Sequence, residues 1–326
     1  MNSKITLLAV LALVQTLIVL MFLFSDGEEN SNDDVWLTLN KDEVDALRFS
    51  DGERTVDLTR GESGWQVGDL PADGAKIESV LAKLTAIDEP WPVATSADAA
   101  ARFELEDDNF QREVVVASGG SELARLLFGT SPGYQKVHAR RSDSEEIYSV
   151  GLSNYELPVN VDGWLDKALL ALTEAPVKIE LAFQKKEQGE EAGSAVEQLE
   201  LTDEGWLYNG AAADQDNAAT YAQRFKTLRV LGPAGDAADS ATVQGVVTLN
   251  GDAAGQLTIS RLPDEGDYLI ARDEVGVFRL ATYVAEQLLM TDVDFTPEEE
   301  TGALEGLSEQ LETLAEGEVE AAESAP

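Results

Sequence analysis

The run Gly129-Thr-Ser131-Pro-Gly133 matches the Gly-x-Ser-x-Gly pattern that presents a serine hydroxyl as a nucleophile at a strand-to-helix turn. The only histidine of the chain, His138, lies seven residues after that serine. Nucleophilic catalysis needs the imidazole within hydrogen-bond reach of the hydroxyl. Here Pro132-Gly133 leads into the alternating segment Tyr134–Arg140, which reads as a turn between two strands and carries the imidazole away from the hydroxyl. No catalytic residue is assigned on this basis.

Lys136, His138, Arg140 and Arg141 form the one basic cluster in an acidic chain. Period-two spacing puts the first three on one face of a strand. Such a cluster suits an anionic ligand or an acidic partner surface. The alternative is a solvated face paired with Glu122, Glu145 and Glu146 across the ladder. Asp214-Gln-Asp216-Asn217 and Asp292-Val-Asp294 resemble the starts of calcium loops but lack the glycine at position six and the glutamate at twelve. Neither a dinucleotide-binding nor a P-loop glycine pattern occurs. Trp65, Trp91, Trp164, Trp206 and Tyr208 have the chemistry to line a groove, but Trp65 and Trp206 recur at matching places and read as core.

Composition narrows the remaining chemistry. With no cysteine there is no disulfide, thiolate metal site or thiol nucleophile, and one histidine excludes a multi-histidine site within the chain. A formal charge of −39, from 62 acidic and 23 basic residues, argues against a nucleic-acid backbone as partner. No metal site or cofactor is assigned.

The elements that must position these residues begin with a membrane segment. Residues 5–24 form an apolar window in which only Thr6, Gln15 and Thr16 are polar. Twenty residues of helix span a hydrocarbon core of about 30 Å. Lys4 stands on one side, and Asp26, Glu28, Glu29, Asp33 and Asp34 on the other. This predicts an uncleaved single-pass anchor over 1–25 and an acidic linker over 26–34. The N-terminus would be cytoplasmic and the bulk periplasmic, in the bacterial inner membrane.

The remainder reads as two copies of one module, 35–172 and 176–295. Each has strands ending in a Gly-Trp pair (Gly64-Trp65, Gly205-Trp206), then an Ala-Asp pair (Ala72-Asp73, Ala213-Asp214), then an amphipathic helix. Ile77, Val80, Leu81 and Leu84 carry the first helix, with Ala218, Tyr221, Ala222, Phe225 and Leu228 carrying the second, which Asn217 would cap. Four strands follow in each copy: Glu113–Ala117, Glu122–Phe128, Gln135–Arg140 and Glu146–Val150, then Gly245–Asn250, Gln256–Ser260, Tyr268–Ala271 and Val277–Leu280. A closing helix is expected over Trp164–Leu172 and over Tyr283–Met290. Short turns between consecutive strands imply antiparallel pairing, hence an α+β class with about two helices per module. Residues 296–326 read as a disordered acidic tail, with ten Glu and no Lys or Arg from 297 on. Leu304, Leu307, Leu311 and Leu314 also permit a short amphipathic helix that docks a partner.

The stretch from Leu126-Leu-Phe-Gly129-Thr-Ser-Pro-Gly133 through Val137-His-Ala-Arg140 to Ile147-Tyr-Ser-Val150 resembles the bacterial DUF4340 family, whose function is unknown. Trp164-Leu-Asp-Lys167 is similar to it as well, as is the layout of a membrane helix followed by repeated modules. The resemblance is clearest over 50–170 and fainter over 177–290. One departure is Phe103-Glu104-Leu105, where the family often has Phe-Gly-Leu. The resemblance implies no catalytic residues. Through relatives associated with gliding-motility-type ABC transporter components, it implies a non-catalytic envelope accessory or scaffolding subunit with integral membrane transporter subunits as partners. Two other readings stand beside it. One is a protein binding a polysaccharide or cation in a cleft between the modules; the other is a carboxylate-dependent hydrolase.

Overall fold

Alternation in the sequence becomes alternation in burial. Val56 and Leu58 are buried while Thr55, Asp57 and Thr59 face solvent, as the two-residue period of a half-buried strand requires. The computed structural model describes residues 36–37, 39–86, 91–185, 193–250, 252–263, 267–289 and 295–297. The apolar window 5–24, the linker 26–34 and the tail from 298 lie outside the described residues. Among the described residues no helix is long and apolar enough to cross a membrane.

The chain divides into two compact units, Met1–Trp164 and Leu165–Pro326. Both are sheet-rich α+β structures in which all named strand pairs are antiparallel. In the first unit, β1 (Ala46–Ser50), β2 (Thr55–Gly61), β3 (Gly64–Val67) and β4 (Leu70–Pro71) precede α1 (Gly74–Thr85). A short helix α2 (Ala97–Phe103) and the hairpin β5 (Leu105–Glu106) and β6 (Asn109–Phe110) come next. Last are β7 (Arg112–Ser118), β8 (Ser121–Phe128), β9 (Val137–Arg141) and β10 (Ile147–Val150). Eight of these strands form one sheet in the order β10-β9-β8-β7-β1-β2-β3-β4.

Helix α1 forms because its apolar residues fall on one stripe and its first turn is capped. The Asp73 carboxylate accepts from the Lys76 amide at 3.0 Å, and Ile77, Val80, Leu81 and Leu84 are all buried. The inward row of the sheet (Leu47, Phe49, Leu58, Val114, Val116, Leu126) is buried too. Each such side chain contributes about 1.5–3 kcal/mol by leaving water. Two tryptophans finish this core. The Trp36 indole N–H donates to the Leu84 carbonyl at 2.9 Å, and Trp164 stacks on Phe49 with centroids 4.4 Å apart.

The second unit has β11 (Lys178–Lys185), β12 (Gly193–Thr202), β13 (Gly205–Tyr208), β14 (Ala211–Ala212) and α3 (Gln215–Arg224). Then come β15 (Gly232–Pro233), a 3₁₀ turn Gly235–Ser240, β16 (Thr242–Leu249), β17 (Asp252–Arg261), β18 (Tyr268–Arg272), β19 (Gly276–Leu280) and α4 (Thr282–Leu288). Its sheet runs β14-β13-β12-β11-β16-β17-β18-β19-β15. Apart from β15, this is the path of the first sheet, strand for strand. Register then matches the units residue by residue: Leu47 and Val116 answer to Ile179 and Leu249, Phe128 and Ala139 to Ile259 and Ile270, Ile147 to Val277.

Four expectations change. Asp214, not Asn217, caps α3: its carboxylate accepts from the Asn217 amide at 2.8 Å, because Asn217 already sits inside the first turn. Trp164–Leu172 is not a helix. Val161–Gly163 is a 3₁₀ turn, and beyond it only isolated turns close, Leu169 N–H to Asp166 and Ala171 N–H to Ala168. The Lys167 carbonyl and the Leu172 amide are taken by Val230 and Phe225, so they cannot join a helical ladder. Those two bonds also place the division at Trp164, earlier than the 172–176 linker expected. Finally, helix α2 and the β5–β6 hairpin have no counterpart among the expected elements.

Candidate functional site

The Gly129–Gly133 run is a turn between β8 and β9, as expected. The Ser131 hydroxyl donates within it, to the Gly133 carbonyl at 2.7 Å and the Lys136 carbonyl at 2.6 Å. His138 instead shares a 3.0 Å hydrogen bond between Nδ1 and the Thr130 hydroxyl, and its ring lies against Phe103 at 4.1 Å. Burial holds the imidazole below its ordinary pKa, against the Thr130 hydrogen bond that raises it, and the nearby Arg102 charge pushes the same way as burial. Register pairs His138 with Ser149 and its counterpart Leu269 with Arg279. A buried leucine thus fills the place in the second unit that His138 fills in the first.

The basic cluster does not gather at one surface. Gln135 takes a left-handed φ of +52°, so β9 starts only at Val137 and Lys136 precedes it. Arg140 shares an outward face with His138 but is consumed locally. Its guanidinium donates to the Leu105 carbonyl (2.8 Å), the Ser144 carbonyl (3.0 Å) and Asp107 (2.7 Å). Arg141 pairs with Asp143 at 2.5 Å, which holds that carboxyl below the usual range. The ion-pair partners of Arg140 and Arg141 are therefore Asp107 and Asp143, and the Glu146 charge also acts on Arg141. Glu122 goes to Arg125, and Glu146 accepts from the Tyr148 hydroxyl.

Gly129 is required by close packing. A Cβ there would overlap the Phe103 and Glu104 carbonyls, and the Thr130 amide donates to Phe103 at 2.9 Å. Glu104 ends α2 in the left-handed region, φ +58° and ψ +54°, the place where glycine is usual. Glycine would take that backbone without strain, and this chain meets it with a glutamate.

A concave site does exist, on the outer face of the first sheet, which sequence reasoning did not find. A cavity of about 370 Å³ has Ala46, Thr59, Val115 and Ala117 on its floor. The row Asp57, Arg48, Val115, Arg125 crosses four strands in register beside it. Strand twist and the β7 bulge between Val116 and Ala117 dish the face. Arg48 holds Asp57 at 2.6 Å, and Arg125 bridges Glu113 at 3.0 Å and Glu122 at 2.9 Å. The Arg125 hydrogen bond draws the Glu122 carboxyl below its usual range. These exposed pairs are worth about 0–1 kcal/mol each in stability. Small floor residues between paired charges suit a polypeptide surface laid across the strands, where register and charge select the partner. Among the described residues no cluster of three or more His, Asp or Glu is arranged to hold a metal.

Two units of common strand order, each an antiparallel sheet with an Asp-capped helix, define a tandem α+β repeat protein. Residues 65–245, more than half of the chain, match the family model described as a domain of unknown function, DUF4340, and the chain belongs to that family. The match runs from β3 of the first unit into β16 of the second. No curated protein and no solved structure matches the chain.

Proposed function

We propose that this chain is a membrane-tethered, periplasmic, non-catalytic accessory subunit that docks an integral transporter subunit of an ABC-type export or envelope complex. The observation that carries the reading is the outer face of the first sheet, a dished surface lined by Ala46, Thr59, Val115 and Ala117 with the charges of Arg48, Asp57 and Glu122, where Arg48 holds Asp57 and the neighbouring Arg125 holds Glu122. The tether is supported by the apolar window 5–24, basic on one side and acidic on the other. The nucleophile reading loses its support where the Ser131 hydroxyl is spent inside its own turn.

The test is mild crosslinking of the full chain in its native membrane, followed by detergent pull-down and mass spectrometry. A transporter subunit should be recovered, and a doubly reversed rim, Arg48→Glu with Arg125→Glu, should lose it. Recovery of none, or equal recovery with the reversed rim, overturns the proposal. A reporter active only in the periplasm, fused after Pro326, should be active; an inactive but stable fusion overturns the orientation.

A further inference from the structure

The second unit places a lysine where the first unit has its dish. Register aligns Leu47 with Ile179 and Leu58 with Leu199, so Ala46, Arg48 and Thr59 answer to Lys178, Glu180 and Glu200. Alternation puts each of these three on the same face of its strand as its counterpart. The Lys178 side chain is 33% exposed, and its ammonium lies 3.0 Å from the Glu180 carboxylate. Glu200 stands directly opposite it on β12, and its charge acts on Lys178 as well. Ala46, opposite Thr59 on β2, ends at Cβ. It brings neither the alkyl stem nor the cation of Lys178, and the cavity of about 370 Å³ stands there, lined also by Thr59, Ala117, Gly120 and Glu122.

We propose that this dish, on the docking reading above, seats a basic side chain of the partner, with its alkyl stem over Ala46 and Ala117 and its cation at Glu122. Small floor residues let an apolar stem lie on the sheet while its charged head stays at the rim. Arg48 takes the place of Glu180, so the anion comes from the other side. Register sets Ala46 opposite Ala117, and Ala117 opposite Glu122. Two strand spacings, about 10 Å, separate Ala46 from Glu122. A four-carbon lysine stem and the Glu122 side chain reach across that distance together.

Charge selects the same occupant. Arg48 holds Asp57, and Arg125 holds both Glu113 and Glu122, so three carboxylates share two guanidinium groups. Asp45 adds a carboxylate beside Gly120, accepting from the Gly119 amide at 2.7 Å. An anionic ligand would meet that excess, whereas a cation offsets it. A second copy of the chain carries −39 in its turn, and like surfaces repel.

The probe is Nα-acetyl-lysine methylamide, titrated into the full chain and followed by amide NMR shifts, with the neutral norleucine analogue beside it. Shifts should concentrate at Ala46, Ala117, Gly120 and Glu122. The lysine probe should bind at least about fivefold tighter than the norleucine probe. Ala46→Lys installs the residue of the second unit, and should fill the dish from within and abolish those shifts. Glu122→Gln should weaken the lysine probe about fivefold and leave the norleucine probe unchanged. In the pull-down, Ala46→Lys should lose the transporter subunit that the wild type recovers. Equal affinity for the two probes, shifts spread over the whole acidic surface, or undiminished probe binding in Ala46→Lys each overturns the proposal. A pull-down that recovers no transporter subunit while the probe still fills the dish overturns the docking reading alone and leaves the seat for a basic side chain standing.

Discussion

Ile147 in the first unit is fully buried beneath α2 and Leu105, whereas its counterpart Val277 in the second is 37% exposed. The two sheets share their strand order and their inward cores, so the contrast comes from a single stretch of chain. Trp65 and Trp206 lie 141 positions apart, Val114 and Val247 133 apart, and Tyr148 and Phe278 130 apart. Most of the shortening therefore falls between the module helix and the sheet's return strand, where the first unit has α2 and the β5–β6 hairpin. A repeat can keep its core and vary its outer face because the two faces of a strand are independent sets of side chains.

The contrast has measurable consequences. Leu127→Ala removes a buried side chain under α2 and should cost about 3 kcal/mol, whereas Thr258→Ala at the matching open position should cost less than about 0.5 kcal/mol. Urea midpoints of the two variants test this, and equal losses would mean that the second face is covered as well. Gly129→Ala should destabilise by about 2 kcal/mol through overlap with the Phe103 and Glu104 carbonyls. Ser260→Ala, its counterpart, should change little. Glu104→Gly should stabilise by about 0.5–1 kcal/mol by releasing left-handed strain, net of the Gln111 side-chain hydrogen bond it gives up.

The smallest effect separates His138 from Leu269. The folded chain holds the imidazole below its ordinary pKa, while the unfolded chain protonates it near pH 6.5. As pH falls below about 6.5 the unfolded state takes up a proton that the native state refuses, so stability falls with acidification there and is level in this respect above it. Urea unfolding of the wild type should show that slope setting in as pH falls below about 6.5. His138→Leu, which installs the residue of the second unit, should remove its histidine component without unfolding the protein. An unchanged slope would show that the imidazole titrates freely.

Much of the fold was legible. Ile77, Val80, Leu81 and Leu84 announce α1 because burial of one stripe dictates their spacing. Alternation located all four return strands of each unit to within a few residues. Helix α2 was missed because Ala-Asp-Ala-Ala-Ala-Arg-Phe has no apolar period; packing on Leu127 and Ile147 makes it a helix. Trp164–Leu172 was misread for the converse reason, since its apolar run meets backbone partners far along the chain. The candidate face was invisible for a related cause. Arg48, Val115 and Arg125 become neighbours only when β1 pairs with β7 and β7 with β8.

By itself the sequence determined the α+β class, the repeat, the Asp–helix junctions, the family and the exclusion of thiol and multi-histidine chemistry. These follow from local periodicity and from composition, which are properties of the chain alone. Tertiary structure decided which strands became neighbours, that His138 and Arg140 were spent internally, and that Ile147 is covered while its counterpart Val277 is exposed. Those outcomes depend on pairing between segments dozens of residues apart, and no local pattern encodes which partner a strand will find.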